Sequence, residues 1–245
     1  MNTVSAYLFR QAVGPLLANP ASAKVPERIV LEGRFARLEP LDAKAHGDQL
    51  FAASSPADAP ARFAYLPEEP GMDRSAFDAW IANRAASSDP LFFAVIDKRT
   101  GTIEGRQTLM RIDPANQAIE IGNIYWGPAI SRTPVTTEAN FLFAQYAFDA
   151  LGYRRYEWKC NALNVPSRKA ALRFGFTYEG HFRRSNIVKG RSRDTSWFSI
   201  IDEEWPAIKR GYEAWLSPEN FDSQGQQRDT LSLLIANAQA GARAR

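Results

Sequence analysis

The segment from residue 118 to residue 160 constrains the fold more than any other part of the sequence. Within it, apolar residues recur at helical spacing, which predicts a helix over 137–151 with one broad apolar face. The stripe consists of Ala139, Leu142, Phe143, Tyr146, Ala147 and Ala150. Strands are predicted on both sides of this helix, at 118–126 and 153–160. If both strands belong to one sheet, the helix must connect them as a parallel crossover.

The rest of the pattern predicts a mixed, mostly antiparallel sheet around that crossover, with flanking helices. Further strands are expected at 29–41, 91–97 and 102–113, and in two long segments that meet at Lys189 and Gly190. Further helices are expected at 43–54, from Asp73 or Ser75 onward, within 161–176, at 203–216 and near 228–236. The fold class is therefore α/β, with a single parallel crossover.

The domain organisation is predicted as one α/β domain over 29–216. Residues 1–28 form an irregular arm and residues 217–245 a polar C-terminal extension whose end is expected to fray. The first 26 residues contain Arg10 and Lys24 but no acid, so an organellar presequence is the alternative to an irregular arm.

Gly122 lies inside the first strand of the crossover. A strand with one antiparallel and one parallel neighbour cannot match its hydrogen bonds everywhere, and glycine marks a place where it can bulge and splay. A gap between the ends of two splayed strands predicts a slot for a thin, extended ligand.

Charge and cysteine content argue against several classes of protein. The formal net charge of +3 favours anionic ligands only weakly. Cys160 is the only cysteine, so no intrachain disulfide can form, and one Cys with His46 and His181 does not suggest a zinc site. We expect a reducing, cytoplasmic location and no metal. No apolar run reaches the ~20 residues that a membrane span requires.

The basic segment at 183–193 does not predict nucleic-acid binding. Its charges are not interleaved with aromatic residues, as a base-stacking surface would require. A charged edge strand that resists pairing with other chains explains the segment better. No nucleic-acid partner and no membrane partner are expected.

Three stretches resemble the GNAT superfamily of acetyl-CoA-dependent N-acetyltransferases. They are IEIGNIYWGPAISRTPVTTEA at 119–139, LGYRRYEWKCNALNVPSRKAALRFGFTYEG at 151–180 and VKGRSRDTSWFSI at 188–200. They are most similar to the branch that acetylates ribosomal-protein N-termini and small amines. The resemblance extends from about 30 to 203, and it implies the GNAT-like fold and acetyl-CoA as co-substrate.

By this resemblance, residues 124–138 form the strand and loop that bind the cofactor. The residues implied there are Tyr125, Trp126, Arg132, Thr133, Thr136 and Thr137. A helix N-terminus suits a diphosphate because its first amides lack partners and its dipole is positive there. The family pattern has small residues where this chain has Pro134 and Thr136, so φ > 0 freedom and one N–H donor are missing. Arg132 and the threonine hydroxyls are the expected replacements.

The Asn-Val-Pro-Ser entry to the next helix has a local role and an implied one. Asn164 can cap the helix, and Pro166 is tolerated in its first turn. The resemblance further implies that Asn164 binds the pantetheine amide, and that Ser167 lies near the thioester sulfur or the phosphates. An ordinary helix cap is the alternative.

The resemblance also implies direct attack of a primary amine on the thioester, in a ternary complex without a covalent enzyme intermediate. Glu120 is the candidate base and Glu104 the second choice, with a solvent-facing strand glutamate as the alternative for both. Many relatives use a tyrosine as acid where this chain has Ala171, so Ser167 is the nearest substitute. Cys160 is interpreted as a packing residue.

Two functions from different classes remain open on the sequence. The first is an active N-acetyltransferase acting on a small-molecule amine or a peptide N-terminus. The second is an altered-loop relative that binds a small ligand or a partner without catalysis. A homodimer is possible. Specificity would come from the region 43–87, where Asp58, Glu68, Glu69 and Asp73 either attract a cationic amine or face solvent.

Overall fold

One open sheet of eight strands forms the centre of the computed structural model, which describes residues 13–243. The strands are β1 Leu31–Glu32, β2 Ala36–Pro40, β3 Leu91–Asp97, β4 Ile103–Asp113, β5 Ala118–Trp126, β6 Arg155–Asn161, β7 Thr177–Val188 and β8 Arg191–Ile201. Their spatial order is β1-β2-β3-β4-β5-β6-β8-β7. Among them only β5 and β6 pair in parallel, which confirms the predicted mixed sheet with one crossover.

Seven helices of the described chain flank this sheet. They are α1 Ala43–Ala53, α2 Ala59–Arg62, α3 Arg74–Ala86, α4 Pro134–Gln145, α5 Val165–Arg173, α6 Trp205–Leu216 and α7 Leu231–Arg243. A π-helical turn, Tyr146–Ala150, extends α4. The apolar stripe predicted for 137–151 is buried in the main core from Ala139 to Ala147, whereas Ala150, at the end of the π-helical turn, is exposed. This core lies between one face of the sheet and helices α4 to α7. Helices α1 and α3 cover the other face with a smaller core.

Three predicted elements differ from the structure. The single strand expected at 29–41 is two short strands, because the chain turns at Gly33 and pairs back on itself. The region 55–72, whose prolines and Gly71 predict a loop, contains the one-turn helix α2. The helix expected near 228–236 begins later and runs to Arg243, with Leu231 and Ile235 buried against the domain. The predicted C-terminal extension therefore contributes to the main core.

Residues 13–28 contain no helix or strand. The arm is nevertheless attached to the domain, since the amide of Ala23 donates to Pro114 O at 3.0 Å and that of Lys24 to Leu151 O at 2.9 Å. Arg10 lies outside the described residues. No described helix combines the length and the apolar character that crossing a membrane would require.

Glu138, on α4, fixes the turn between β1 and β2. Its carboxylate accepts the backbone N–H groups of Arg34, Phe35 and Ala36 at 2.8, 2.5 and 2.7 Å. A side chain at Gly33 would collide with this carboxylate. Charge-assisted hydrogen bonds of this kind are the stronger ones in proteins. The glutamate of the Thr-Glu-Ala sequence is therefore structural in this chain, and it joins the first hairpin to the crossover helix.

A substitution at Gly211 tests the docking of α7 on α6. A Cβ at Gly211 would lie 2.7 Å from Ile235 Cα and 2.9 Å from Ile235 N, so Gly211→Ala must push the two helices apart. Overpacking of this kind costs about 1–3 kcal/mol of unfolding free energy, measured by chemical denaturation. The control is Gly241→Ala, which meets nothing within 4 Å and should be neutral or slightly stabilising. Equal denaturation midpoints for Gly211→Ala and wild type would show that α7 is not docked on α6 in solution.

Candidate active site

Strands β5 and β6 separate part-way along their length. They pair only from Ala118 opposite Arg155 to Ile121 opposite Trp158. Beyond these residues β5 continues to Trp126 and β6 to Asn161, with no further pairing between them. Each strand therefore presents unpaired backbone to the gap, as predicted from the position of Gly122.

A bulge in β5 accompanies the separation. Arg106 of β4 lies opposite Tyr125 and Thr108 lies opposite Gly122, so β5 has one more residue than β4 in this interval. Within the bulge, the positive φ of 47° falls on Asn123, next to Gly122. The carbonyl of Gly122 accepts the Thr108 hydroxyl at 3.0 Å, and that of Asn123 accepts Arg106 Nη1 at 2.8 Å.

A larger residue at Gly122 would have to displace the side chain of Met110. A Cβ there would overlap Met110 Sδ, which lies directly against the backbone. Both Met110 and Gly122 line the cavity described next.

A cavity of about 350 Å³ occupies the gap between the strands. Its walls come from β5, β6, the start of α5, the β7–β8 hairpin and the loop around Tyr65. Glu120, Asn164 and Ser167, which were predicted for catalysis or cofactor binding from distant parts of the chain, all line it. The structure therefore brings these predicted site residues together around one space.

Asn164 has the local role expected of it. Its Oδ1 accepts the amide of Ser167 at 3.1 Å and so caps α5, with Pro166 in the first turn. This leaves the Nδ2 group of Asn164, a donor, as the part of the side chain that a ligand can use.

Ser167 is held by its neighbours in a defined orientation. Its Oγ accepts the indole N–H of Trp158 at 3.0 Å, so its own proton remains available. The Cys160 thiol lies close enough to receive a hydrogen bond from Ser167, although burial raises the pKa of that thiol. Cys160 is thus a neutral thiol in the cavity wall, and Ser167 is the proton donor of this group.

Glu120 lies on β5 and is only 4% exposed, so the alternative of a solvent-facing strand glutamate is wrong for it. Its Oε2 lies 2.9 Å from Lys159 Nζ and 3.2 Å from Arg111 Nε. Burial raises the pKa of Glu120, and the nearby Lys159 and Arg111 oppose that rise. A carboxylate with a raised pKa is a better proton acceptor than one in water.

Arg132 occupies the left-handed region, with a φ of 64°. Glycine adopts this conformation most readily, and the arginine takes it without the freedom of a glycine. Its side chain is exposed. The loop therefore carries backbone strain at Arg132, and the side chain of Arg132 adds a cation beside the start of α4.

The first turn of α4 offers backbone amides to an anion. Thr133 is the N-cap residue but makes no side-chain cap bond, and Pro134 has no N–H. The amides of Val135 and Thr136 therefore have no intrahelical acceptor. The hydroxyls of Thr133 and Thr136 donate within the loop, to Ile130 O at 2.7 Å and Thr133 O at 3.1 Å. These two hydroxyl protons are not free for a ligand.

Arg173 is a cation near this helix end that the sequence did not single out. Its Nη1 donates to the hydroxyl of Thr137 at 3.0 Å, from the last turn of α5. Thr137 itself is 1% exposed. The proximity of α5 to the start of α4 could not be read from residue spacing, because the two helices are separated by a whole strand.

Tyr125 and Trp126 point their side chains away from the cavity. The Tyr125 hydroxyl donates to Ala53 O at 2.5 Å, and burial raises its pKa to about 12. The Trp126 indole donates to Gln107 Oε1 at 3.2 Å and packs on Trp158. These two residues can reach a ligand in the gap only through their backbone.

Two other residues named in the sequence analysis lie outside the cavity lining. Glu104, the second choice of base, lies beside Gly127, on the far side of the bulge. Ala171 is fully buried in α5. Of the residues predicted for catalysis, Glu120 and Ser167 are therefore the ones that line the cavity.

The loop before α3 covers one end of the cavity with Arg62, Tyr65, Leu66 and Pro67. The Tyr65 hydroxyl donates across the cleft to Leu163 O at 3.2 Å. Lys189, in the β7–β8 turn, donates to Phe63 O at 3.0 Å. These contacts turn the open cleft into a partly roofed passage.

The four acidic residues that the sequence analysis considered for amine binding all have partners within the chain. Asp58 pairs with Arg62 at 2.9 Å, Glu68 with Arg106 at 3.2 Å and Glu69 with Lys189 at 3.3 Å. Asp73 caps α3 by accepting the amide of Ala76 at 2.8 Å. Residues 13–243 contain no group of three or more metal-ligating side chains close enough to hold a metal ion.

The family model for the acetyltransferase (GNAT) domain matches residues 36–177, more than half of the chain. The chain belongs to the GNAT acetyltransferase family. The crystal structure of a GCN5-related N-acetyltransferase from Brucella melitensis is 60% identical, with a TM-score of 0.88, and the match covers 90% of this chain and 100% of that one.

Two further comparisons cover less of the sequence or share less of it. An uncharacterized N-acetyltransferase, p20, of Bacillus licheniformis is 31% identical over 46% of this chain, and the match spans 63% of its own length. An acetyltransferase from Salmonella typhimurium that modifies the N-terminal serine of ribosomal protein L7/L12 is 16% identical with a TM-score of 0.61, covering 71% of this chain and 99% of its own. This last likeness shows the fold alone.

The family uses acetyl-CoA as co-substrate, and the residues of the gap fit such a ligand. A thin arm with amide groups needs hydrogen-bonding partners along its length, and the unpaired edges of β5 and β6 supply them. A diphosphate needs free N–H donors and positive charge, which the amides of Val135 and Thr136 and the side chain of Arg132 can supply.

Substitution of Asn164 separates its capping role from cofactor binding. Asn164→Asp keeps the Oδ1 acceptor for the amide of Ser167, so the melting temperature should hold. It removes the Nδ2 donor and adds a negative charge near an anionic ligand. We expect the Kd for acetyl-CoA, measured by calorimetry, to rise about tenfold or more.

The control is Asn164→Ala, which should lower both stability and affinity because it removes the cap and the donor together. A Kd for Asn164→Asp equal to that of wild type would reduce Asn164 to a helix cap.

Proposed function

We propose that this protein transfers the acetyl group of acetyl-CoA to a primary amine by direct attack within a ternary complex. The observation that carries the proposal is the cavity in the β5–β6 gap, which has Asn164 and Ser167 on one wall and a buried carboxylate, Glu120, on another. Family membership supports acetyl transfer in general. The acceptor is a small-molecule amine or a peptide N-terminus.

Glu120 takes the proton that the attacking amine must lose. An amine is protonated near neutral pH, and only its neutral form has the lone pair for attack. Glu120 accepts the ammonium proton directly or through a water, and Lys159 at 2.9 Å holds its carboxylate in place. The new C–N bond then forms as the C–S bond breaks.

Ser167 stabilises the leaving thiolate by hydrogen bonding. The Trp158 indole donates to Ser167 Oγ at 3.0 Å, which leaves the hydroxyl proton free of the indole, with the Cys160 thiol as its neighbour until a thiolate is present. That proton can stabilise negative charge on the departing sulfur by hydrogen bonding. In this role Ser167 replaces the tyrosine acid of other family members, whose position is Ala171 here.

A binding protein without catalysis is the second candidate. The altered start of α4 favours it, since Pro134 removes one N–H from the expected diphosphate site. The remaining amides, with Arg132 beside them, support binding under either function.

Acetyl-CoA should raise the melting temperature by mass action on the folded state, by about 2.7 kcal/mol of stabilisation at a hundredfold excess over Kd. Release of free thiol with a panel of amines then separates the two candidates. Binding without thiol release from any amine supports the binding protein. A melting curve unmoved by millimolar acetyl-CoA contradicts both.

The pH dependence of turnover tests Glu120 as the base. Because its pKa is raised, the acid limb of kcat/KM should lie above the ordinary glutamate pKa, with a plateau up to the pKa of the acceptor amine. In Glu120→Gln only the free amine can react. The kcat/KM of this variant should therefore fall overall and keep rising with pH, without a plateau, until the amine's own pKa.

The matched control is Glu104→Gln, another strand glutamate, which lies outside the cavity lining and should keep the wild-type profile. Melting temperatures of both variants check that the fold is intact. A wild-type plateau in Glu120→Gln would remove Glu120 from the mechanism and leave it as an ion-pair partner of Lys159 and Arg111.

A further inference from the structure

The charges of the cavity wall on the Glu120 side are not balanced. Four cations line the cavity, and Glu120 is the one acid among its lining residues. The cations are Arg62, Arg111, Lys159 and Arg193. A cationic wall is unfavourable for an acceptor whose only charge is its ammonium group, because like charges repel most strongly where water is excluded.

Three of these cations have carboxylate partners. Arg62 pairs with Asp58 at 2.9 Å. Lys159 lies 2.9 Å from Glu120 and 2.5 Å from Glu157, with its Nζ 3.9 Å from the centre of the Trp197 ring. Arg111 is half exposed and shares Glu120 at 3.2 Å. Each of the three therefore already has a carboxylate within 3.2 Å.

Arg193 is the exception. It lies on β8, opposite Asn186 of β7, and its side chain is partly buried in the wall. The Nε atom of Arg193 is buried and has no hydrogen-bond acceptor. The Arg193 side chain makes no ion pair with any residue from 13 to 243. Burial lowers the pKa of Arg193, with Cys160 and Glu120 as the nearby acidic groups that oppose the change. A partly buried guanidinium whose Nε has no acceptor is costly unless something in the cavity supplies one.

The hairpin is shaped to hold Arg193 at this place. Between Phe182 and Asn186, β7 has two more residues than β8, and Arg184 takes a φ of 50° in the resulting bulge. Asp194 fixes the bulge, since its carboxylate accepts the amide of Arg184 at 2.7 Å and contacts His181 at 2.9 Å. Asp194 is thereby committed to β7 and does not neutralise the adjacent Arg193.

We propose that the acceptor amine carries a carboxylate, and that Arg193 binds this carboxylate while Glu120 receives the proton of the amine. Arg193 then determines specificity and has no part in proton transfer. This inference rests on the proposed function for its reaction, but not for its binding step. An arginine–carboxylate contact in a partly buried site is one of the stronger hydrogen-bonded pairs. The carboxylate is either the α-carboxylate of an amino acid or an acidic side chain beside a peptide N-terminus.

Matched acceptors test the turnover step. Each carboxylate acceptor is compared with its neutral amide: glycine with glycinamide, and an amidated peptide beginning Ser-Asp with one beginning Ser-Asn. We expect kcat/KM for at least one acid to exceed that of its amide by about tenfold or more. The first pair reports on a free amino acid and the second on a peptide N-terminus. Amides that equal or exceed both acids would overturn the inference while leaving acetyl transfer intact.

Substitution of Arg193 tests whether this residue causes the preference for the acid over its amide. Arg193→Gln should lower kcat/KM for the preferred acid about tenfold and leave its amide unchanged, so that the preference disappears. The control is Arg191→Gln, an exposed arginine of the same strand, which should leave both acceptors unchanged. Equal losses for acid and amide in Arg193→Gln would show that Arg193 serves the co-substrate instead, and would contradict the proposal.

A binding measurement keeps the inference separable from the proposed function. With coenzyme A present, calorimetry compares N-acetylglycine with N-acetylglycinamide, and the acetylated Ser-Asp peptide with its Ser-Asn partner. Tighter binding of one acid, lost in Arg193→Gln, supports the inference even if no amine is acetylated. Equal or undetectable binding of acids and amides, in a protein whose melting temperature shows that it is folded, overturns it.

Discussion

The short parallel pairing between β5 and β6 is the constraint on which the site depends. Four residue pairs hold the two strands together, and after Ile121 and Trp158 the strands separate. The bulge at Asn123 makes this possible, since it turns β5 away from its parallel neighbour while its carbonyls find partners on β4. If β5 and β6 paired along their whole length, there would be no gap, and Asn164, Ser167 and Glu120 would not line a common cavity.

Arg106 links the bulge to the roof of the cavity. Its guanidinium donates to the carbonyl of Asn123 at 2.8 Å. It also lies 3.2 Å from Glu68 in the loop before α3, and this second contact is chiefly ionic because its geometry is not that of a good hydrogen bond. It also lies 4.7 Å from the centre of the Trp80 ring. Both charges are almost fully buried, which makes the loss of either partner far more damaging than the pair is stabilising. The pair therefore fixes where the loop lies relative to the gap.

The start of α4 combines a left-handed residue with a proline at the first helical position. Arg132 adopts the left-handed conformation in which glycine is the usual residue, and Pro134 occupies the first helical position, where its missing N–H disturbs no intrahelical bond. The residue types alone suggested altered binding, because they imply lost freedom and a lost donor. The backbone shows that the turn is still made, and that two amides remain free at the helix end.

Sequence periodicity by itself determined the architecture of this protein. The apolar stripe of α4 and the strands on either side of it specify a parallel crossover, because local hydrophobic spacing reports which face of each element is buried. The cap formed by Asn164 and the position of the gap at Gly122 followed from the same local rules. The strand at 29–41 was predicted as one element because its hydrophobic pattern continues through Gly33, and the turn depends on Glu138, about a hundred residues away.

Only the tertiary structure decided which charges face the cavity. Arg106, Lys159 and Arg193 look alike in the sequence, yet the first is buried against Glu68, the second is shared between two glutamates, and the third has no partner within the described chain. Arg173 lies beside Thr137 although a strand separates their helices along the chain. The physical reason is that a side chain's charge partners are set by the packing of distant elements and by the bulges that re-aim strands, and neither leaves a periodic signal in the sequence.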